Sequence, residues 1–424
     1  MNLFNLKSQA NVPKNIRDEN LTLFSAVTLA WSGISASFPF IAIYLLQVRD
    51  LPLSQVGIIY LASGVLGLIV QIIGGRLSDF LGTKVMALVG LSLSGLIFAL
   101  LSLFVAFNSP VSAFMISYPI LGLFNGFFQT AFSSYISDRK PGQVSSGMSL
   151  MYVGLNLGFT IGPISGGFLV TYVGYSYIFA FGAVTSIAAA ALTFIRIKTN
   201  PRYAQRSSGS TSAPTRRRRL ERGLFPFFVL IFFSWMAIGY QAVPLSVYEA
   251  QFLTLSNIGI GLVLTTNGLL ITILQMPISR WIGIENKLRL LPVAVGSAIM
   301  GGGYFLIANS QTLIPLVLAI VITTIGEMMV AVPTQVVVAM FSKENNRGEY
   351  QGLFYAFSRT GASFAFYLGP LVFSIFIASA YLGWYIVGGI SLATGIGYYL
   401  LSPVIKKEYE TNQSARVQEV PLGR

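Results

Sequence analysis

Two ionisable side chains lie well inside apolar stretches of the chain. Glu327 stands near the middle of the run 312–341, and Arg359 in the early part of the run 350–378. At a bilayer centre either would cost about 2.5–3.5 kcal/mol to insert, so neither is expected to face lipid. A rise of about 1.5 Å per residue puts Glu327 about 20 Å and Arg359 about 14 Å from the side that carries Lys343 and Arg347. Charge on such a carboxyl depends on its burial and on its distance from a guanidinium, so protonation of Glu327 can depend on conformation. Two roles follow. Either Glu327 binds a proton or a cationic substrate with Arg359 tuning it, or the two form a static ion pair between helices.

The rest of the chain narrows the chemistry. It contains no histidine and no cysteine, which excludes imidazole relays, thiol chemistry, disulfides and histidine or cysteine metal ligands. No metal or cofactor is expected. Among the neutral polar residues inside apolar runs, the cavity candidates are Asn125, Gln129, Asn156, Tyr240, Gln241, Asn267, Gln275 and Gln335. Each is able to line a cavity or to hydrogen-bond between helices. The 32 Phe and 20 Tyr suit an aromatic cavity for amphipathic or hydrophobic molecules, and they equally suit lipid-facing and interface positions.

Only membrane-crossing helices can position these groups. The chain of 424 residues is 54% hydrophobic and 10% charged, with a mean hydropathy of +0.71, too little charge to cover that apolar surface in water. Runs long enough to span a hydrocarbon core fall near 20–47, 55–74, 85–107, 112–136, 145–172 and 176–195, then 224–248, 257–279, 290–308, 312–341, 350–378 and 382–403. Numbering the gaps alternately places 25 of the 27 Lys and Arg on one side, Arg49 alone on the other, and Arg359 inside a span. Positive residues stay in the cytoplasm, so both termini are expected there, in a multi-pass protein of the cell membrane. No small-residue cleavage site follows the first run, which is expected to be a retained helix.

Residues 196–223 break the pattern with Ser, Thr, Gly, Pro and the run Arg216–Arg219. They read as a disordered cytoplasmic linker between a six-helix bundle at 1–195 and another at 224–403, with a cytoplasmic tail at 404–424. Positive-inside bias and anionic headgroups account for the basic run and for the net charge of +13, so no nucleic-acid partner is expected. The halves echo one another. Leu53-Ser54-Gln55-Val56-Gly57 recurs as Leu255-Ser256-Asn257-Ile258-Gly259, and Gly162-Pro163 as Gly369-Pro370. Parallel repeats suit two bundles that rock about a central site.

The second gap reads Gly75-Arg76-Leu77-Ser78-Asp79-Phe80-Leu81-Gly82-Thr83-Lys84. It resembles the cytoplasmic signature of the major facilitator superfamily. The resemblance implies a gate in which Asp79 caps the start of the eleventh helix near Glu349–Gly352, with Gly75, Gly82 and Lys84 completing the motif. The matching turn Pro277–Gly283 keeps the glycine but has Arg280 in place of the aspartate. In the fifth run, Gly158, Gly162, Pro163, Gly166 and Gly167 are spaced as G-x-x-x-G-P-x-x-G-G, which is similar to the helix-5 pattern of the drug–proton antiporters in that superfamily. The start of the eleventh run, Arg347-Gly348-x-Tyr350-x-Gly352, and Gly326-Glu327 in the tenth resemble the same branch. That branch carries Arg-x-x-Gln-Gly in its fourth helix; here Gly122 takes the place of the arginine in Gly122–Gly126, so either proton coupling runs through another group or the coupling differs.

The resemblance implies an all-α fold of twelve transmembrane helices in two pseudo-symmetric bundles. It implies a monomer that transports small molecules by alternating access, with helices 1, 4, 7 and 10 lining the cavity. Proton-coupled efflux of organic compounds is the first expectation, and uptake symport of a sugar, organic acid or other metabolite the second. An enzyme would need a converging acid, base or metal set, and an ATP-driven pump a phosphate-binding Gly-Lys-Ser/Thr loop; the sequence has neither. A non-transporting receptor would carry a folded soluble domain, and no stretch outside the apolar runs is long enough for one.

Overall fold

The computed structural model describes residues 14–137, 141–197, 223–283, 288–341 and 347–418. Among them every regular element is helical: α1 Lys14–Gln47, α2 Leu53–Leu81, α3 Thr83–Ala106, α4 Val111–Ser137, α5 Pro141–Tyr172, α6 Tyr175–Arg196, α7a Leu224–Gly239 and α7b Val243–Gln251. They continue with α8 Asn257–Ile282, α9 Leu291–Asn309, α10 Leu313–Phe341, α11 Arg347–Ile375 and α12 Tyr381–Gln418, with one 3-10 turn at Ile377–Ser379. In lipid the backbone must satisfy its own hydrogen bonds, which helices do within one segment. Eleven spans among the described residues are long and apolar enough to cross a membrane, α7a and α7b forming one of them. The twelfth long helix, α11, is less apolar because it carries Arg359 and a run of Ser, Tyr and Gly.

The chain forms two compact units, one of Met1–Ala213 with Ala242–Ile273 and the other of Pro214–Gln241 with Leu274–Arg424. In the first, α1 packs on α5 and α6, α3 on α4 and α6, and α2 on α4. α1 is enclosed almost throughout its apolar stretch, while α6 turns Val184, Ile187, Phe194 and Ile195 outward. In the second unit α9 packs on α10 and α12, and α7a on α11. Its core gathers Phe227, Phe228, Ile231, Val293, Val337, Phe341, Phe354 and Tyr398. Apolar side chains that point outward as freely as those on α6 are stable only in lipid.

The second gap is a one-residue turn. Gly82 joins α2 to α3 at φ 81° and ψ 139°, and its N–H donates to the Ser78 carbonyl at 2.9 Å. Gly283 ends α8 in the same way, at φ 60° and with its N–H on the Ser279 carbonyl at 3.1 Å. A positive-φ glycine therefore ends the helix in both halves, although Arg280 has replaced the aspartate in the second. A Cβ on Gly82 would meet nothing within 4 Å, so Gly82→Ala tests the backbone alone. It is expected to cost on the order of 1–3 kcal/mol, because that φ/ψ region is nearly closed to other residues. A lowered unfolding midpoint in detergent would show it.

Several boundaries differ from the sequence expectation. α1 begins at Lys14 rather than near 20, α2 runs on to Leu81 rather than ending near 74, and the seventh span is broken. The tail is helical as far as Gln418. It earns that order partly through Glu408, whose two carboxylate oxygens accept the Gly223 N–H at 3.0 and 3.2 Å. Gly223 caps α7a, so a carboxylate meets the positive end of that helix. Most of the expected linker, including Arg216–Arg219, lies outside the described residues.

Candidate functional site

Pro244 sits in the first turn of α7b and has no N–H to continue the helix. α7a closes at Gly239, and Tyr240, Gln241 and Ala242 form the break, with Ala242 at φ −105° and ψ −103°. The break aims Gln241 at α10: its Nε2 donates to Glu327 Oε2 at 3.1 Å. Gln241 is 6% exposed, and Glu327 is half-buried. Tyr304 on α9 donates its hydroxyl to the Ala237 carbonyl at 2.5 Å, near the end of α7a. Trp384, fully buried, packs on Tyr240, Tyr304 and Phe373, each ring about 6.0 Å away. The carboxyl predicted from sequence therefore sits beside an amide donor, with an aromatic wall behind it.

A second polar group lies further along α10. Gln335 Nε2 donates to the Tyr355 hydroxyl on α11 at 3.1 Å, and Arg359, half-buried one turn on, lies within electrostatic reach of Tyr355. Eight residues of α10 separate Gln335 from Glu327, about 12 Å at a rise of about 1.5 Å. Gln275 reaches α10 as well, donating to the Met328 carbonyl at 3.2 Å and to Ser279 Oγ at 3.0 Å.

The other predicted polar residues belong to the first unit. Asn125 Oδ1 accepts from Ser94 Oγ at 3.1 Å, tying α4 to α3. Asn156, 6% exposed, donates to the Tyr152 carbonyl of its own helix at 2.9 Å. Gln129 on α4 and Asn267 on α8 are half-buried. Gly122, standing where the antiporter pattern has arginine, presses on the backbone of Ser63 in α2, and Gly126 lies against the Gly67 carbonyl at 3.1 Å for a Cβ built there. An arginine at 122 has no room, which explains the departure physically.

The helix-5 motif is a packing device on two sides. A Cβ at Gly158 would meet the Thr28 carbonyl at 2.9 Å, and one at Gly162 the Ser32 carbonyl at 2.6 Å, both on α1. Gly166 abuts Phe40, and Ser35 Oγ donates to the Gly158 carbonyl at 3.0 Å. On the opposite side Gly167 lies against Asn257, the Pro163 carbonyl against Gly261, and Thr265 donates to the Thr160 carbonyl at 2.9 Å. In the gating motif Lys84 Nζ donates to the Phe194 carbonyl at 2.9 Å and lies 5.3 Å from the Phe194 ring centroid, fastening α3 to the end of α6. The side chains of Asp79, Glu349 and Gln351 lie outside what the structure describes, whereas Tyr350 is buried and Gly352 exposed.

Sequence reasoning missed Glu249. The seventh run was drawn to end at 248, yet α7b carries the helix to Gln251 and Glu249 is completely buried. A period of 3.6 extended three residues further would have found it.

The chain matches the sequence model of the Major Facilitator Superfamily over residues 23–246 and again over 227–423, a duplication that fits two pseudo-symmetric halves. The MFS-type transporter YqjV of Bacillus subtilis is 25% identical over 96% of this chain and 99% of its own length. The quinolone resistance protein NorA of Staphylococcus aureus is 28% identical over 144 residues, 33% of this chain and 35% of its own. In fold, a POT family transporter solved with 5-aminolevulinic acid aligns over 91% of this chain and 96% of its own, with a TM-score of 0.75 at 15% identity. The chain belongs to the major facilitator superfamily and is a multi-pass membrane transporter, not an enzyme.

Proposed function

We propose that this transporter exports small organic, drug-like molecules in exchange for protons, by alternating access, with Glu327 as the proton-carrying group. The observation that carries the reading is the Gln241–Glu327 hydrogen bond at 3.1 Å. It joins the one intramembrane carboxyl predicted from sequence to the broken segment of the seventh helix, so a change of charge on Glu327 changes what holds that break in place. Efflux rather than uptake is favoured by the likeness to a quinolone resistance protein. In this reading the protein is a monomer of the cell membrane with both termini cytoplasmic, Asp79 caps the start of α11 in the outward-facing state, and Arg359 tunes Glu327.

Purified protein in vesicles with the cytoplasmic face outward should release lumenal protons when ethidium or tetraphenylphosphonium is added. Transport of a compound with no proton movement would remove antiport. Gln241→Leu is expected to slow transport about tenfold, since a hydrogen bond to a charged group contributes about 1.5 kcal/mol. Proton release per molecule transported should stay unchanged. Initial rates of dye accumulation beside proton release measure both.

A further inference from the structure

α1 and α7b end in the same turn. After α1 the Arg49 N–H donates to the Tyr44 carbonyl at 3.2 Å and the Leu51 N–H to the Leu45 carbonyl at 2.9 Å, with Asp50 at φ 53°. After α7b the Leu253 N–H donates to the Tyr248 carbonyl at 3.1 Å and the Leu255 N–H to the Glu249 carbonyl at 2.9 Å, with Thr254 at φ 50°. Tyr248 thus matches Tyr44, and Glu249 matches Leu45. Both Leu45 and Glu249 are completely buried. Where the first half of the chain places a leucine, the second places a carboxyl.

That carboxyl has no hydrogen-bond partner at either oxygen. α7b packs against α1, and Gln47 Nε2 donates to the Ala250 carbonyl at 3.1 Å to close the contact. At the packed ends of these two elements and in their turns the titratable and charged groups are Glu249 itself, Tyr44, Arg49, Asp50 and Tyr248; Lys14, Arg17, Asp18 and Glu19 lie at the far end of α1, more than about 35 Å away at about 1.5 Å per residue. Arg49 is engaged elsewhere, with Nη1 on the Tyr44 hydroxyl at 3.2 Å and Nη2 on the Ser109 carbonyl at 2.8 Å. Asp50 is exposed. Tyr44 packs on Tyr175 of α6, their ring centroids 5.3 Å apart. No donor or cation on these elements compensates a charge on Glu249, and a buried charge without a partner is strongly disfavoured. The packed arrangement therefore accommodates the neutral acid as it accommodates Leu45, and excludes the carboxylate.

We propose that Glu249 is a second proton-binding site, and that its proton holds α7b against the end of α1. Loss of the proton releases α7b, which is free to swing at the Tyr240–Ala242 break. A proton bound by one of two arrangements shifts the balance only by its differential affinity, and here the packed one binds it. Acid pH keeps the latch closed and alkaline pH opens it. Its meaning for transport rests on the alternating-access reading above; the latch itself does not.

The chain has no native cysteine, so spin labels placed at Val48→Cys and Gln251→Cys, both exposed, report the separation of the two helix ends in vesicles without interference. From mildly acid to mildly alkaline pH, the ratio of long to short separations should rise at least about tenfold in the otherwise wild-type chain. Glu249→Gln and Glu249→Leu should keep the short separation at every pH. Glu249→Leu reproduces the residue used at the matching turn, so it guards against a fold lost to the amide. The same response should persist in Glu327→Gln. A separation indifferent to pH overturns the proposal, and so does an unchanged pH response in Glu249→Gln. Failure of proton release in the transport assay with an intact latch response removes antiport and leaves Glu249 in place.

Discussion

Vesicles carrying Glu327→Gln release no protons on addition of a compound that the wild-type chain expels with proton release; that is the expected result, and it separates coupling from shape. The amide oxygen of glutamine still accepts from Gln241 Nε2, which donates to Glu327 at 3.1 Å in the wild-type chain. The hinge contact and the aromatic wall are therefore retained, and only the exchangeable proton is lost. Proton release should fall to the level of empty vesicles, while downhill movement of the dye continues. Glu327→Ala is a harsher change. It strands the Gln241 amide, at a cost of about 1–3 kcal/mol for an unpaired polar group, and confounds coupling with stability. If Glu327→Gln expels the compound with wild-type proton release and the same pH dependence, Glu327 serves structure alone. Measuring proton release and dye efflux on the same vesicles distinguishes these cases.

Much of this was legible in the sequence because lipid imposes its own rules. Spans show as long apolar runs, and the alternation of Lys and Arg fixes their number, which is why the helices fall where composition puts them. Glu327 was legible for the same reason, since a carboxyl in the middle of an apolar run has no bland surface role. Its partner was not. Gln241 is one of eight cavity candidates in such runs, and only the break made by Pro244 shows which way it points. Glu249 escaped because a span boundary drawn from hydropathy is uncertain by a few residues, and a carboxyl near a boundary reads as a surface charge. The helical tail escaped because its polar residues do not look like a span, whereas Glu408 holds it to the start of α7a. The helix-5 pattern was read as close packing, and the structure supplies the partners on both of its sides.

That packing sets the other large expected effect. Gly162 stands where α5 crosses α1, and a Cβ there would lie 2.6 Å from the Ser32 carbonyl and 2.7 Å from the Ala36 nitrogen. The nearest atom, the Ser35 hydroxyl, can turn aside, but these two are backbone atoms of α1, the most enclosed helix of its unit, and cannot. Membrane helices associate through such close approach, having no hydrophobic drive between them. Gly162→Ala is therefore expected to destabilise by about 1–3 kcal/mol, the usual cost of overpacking, and Gly162→Leu to prevent recovery of folded protein. Gly302 on α9 is the control, because a Cβ there meets nothing within 4 Å. Replacing a helical glycine by alanine in open space stabilises by about 0.4–1 kcal/mol through the unfolded chain. Thermal unfolding in detergent should thus move in opposite directions for Gly162→Ala and Gly302→Ala. Equal shifts would mean that helix propensity rather than the α1–α5 contact governs both, and the helix-5 motif would lose its assignment as the seam of that unit.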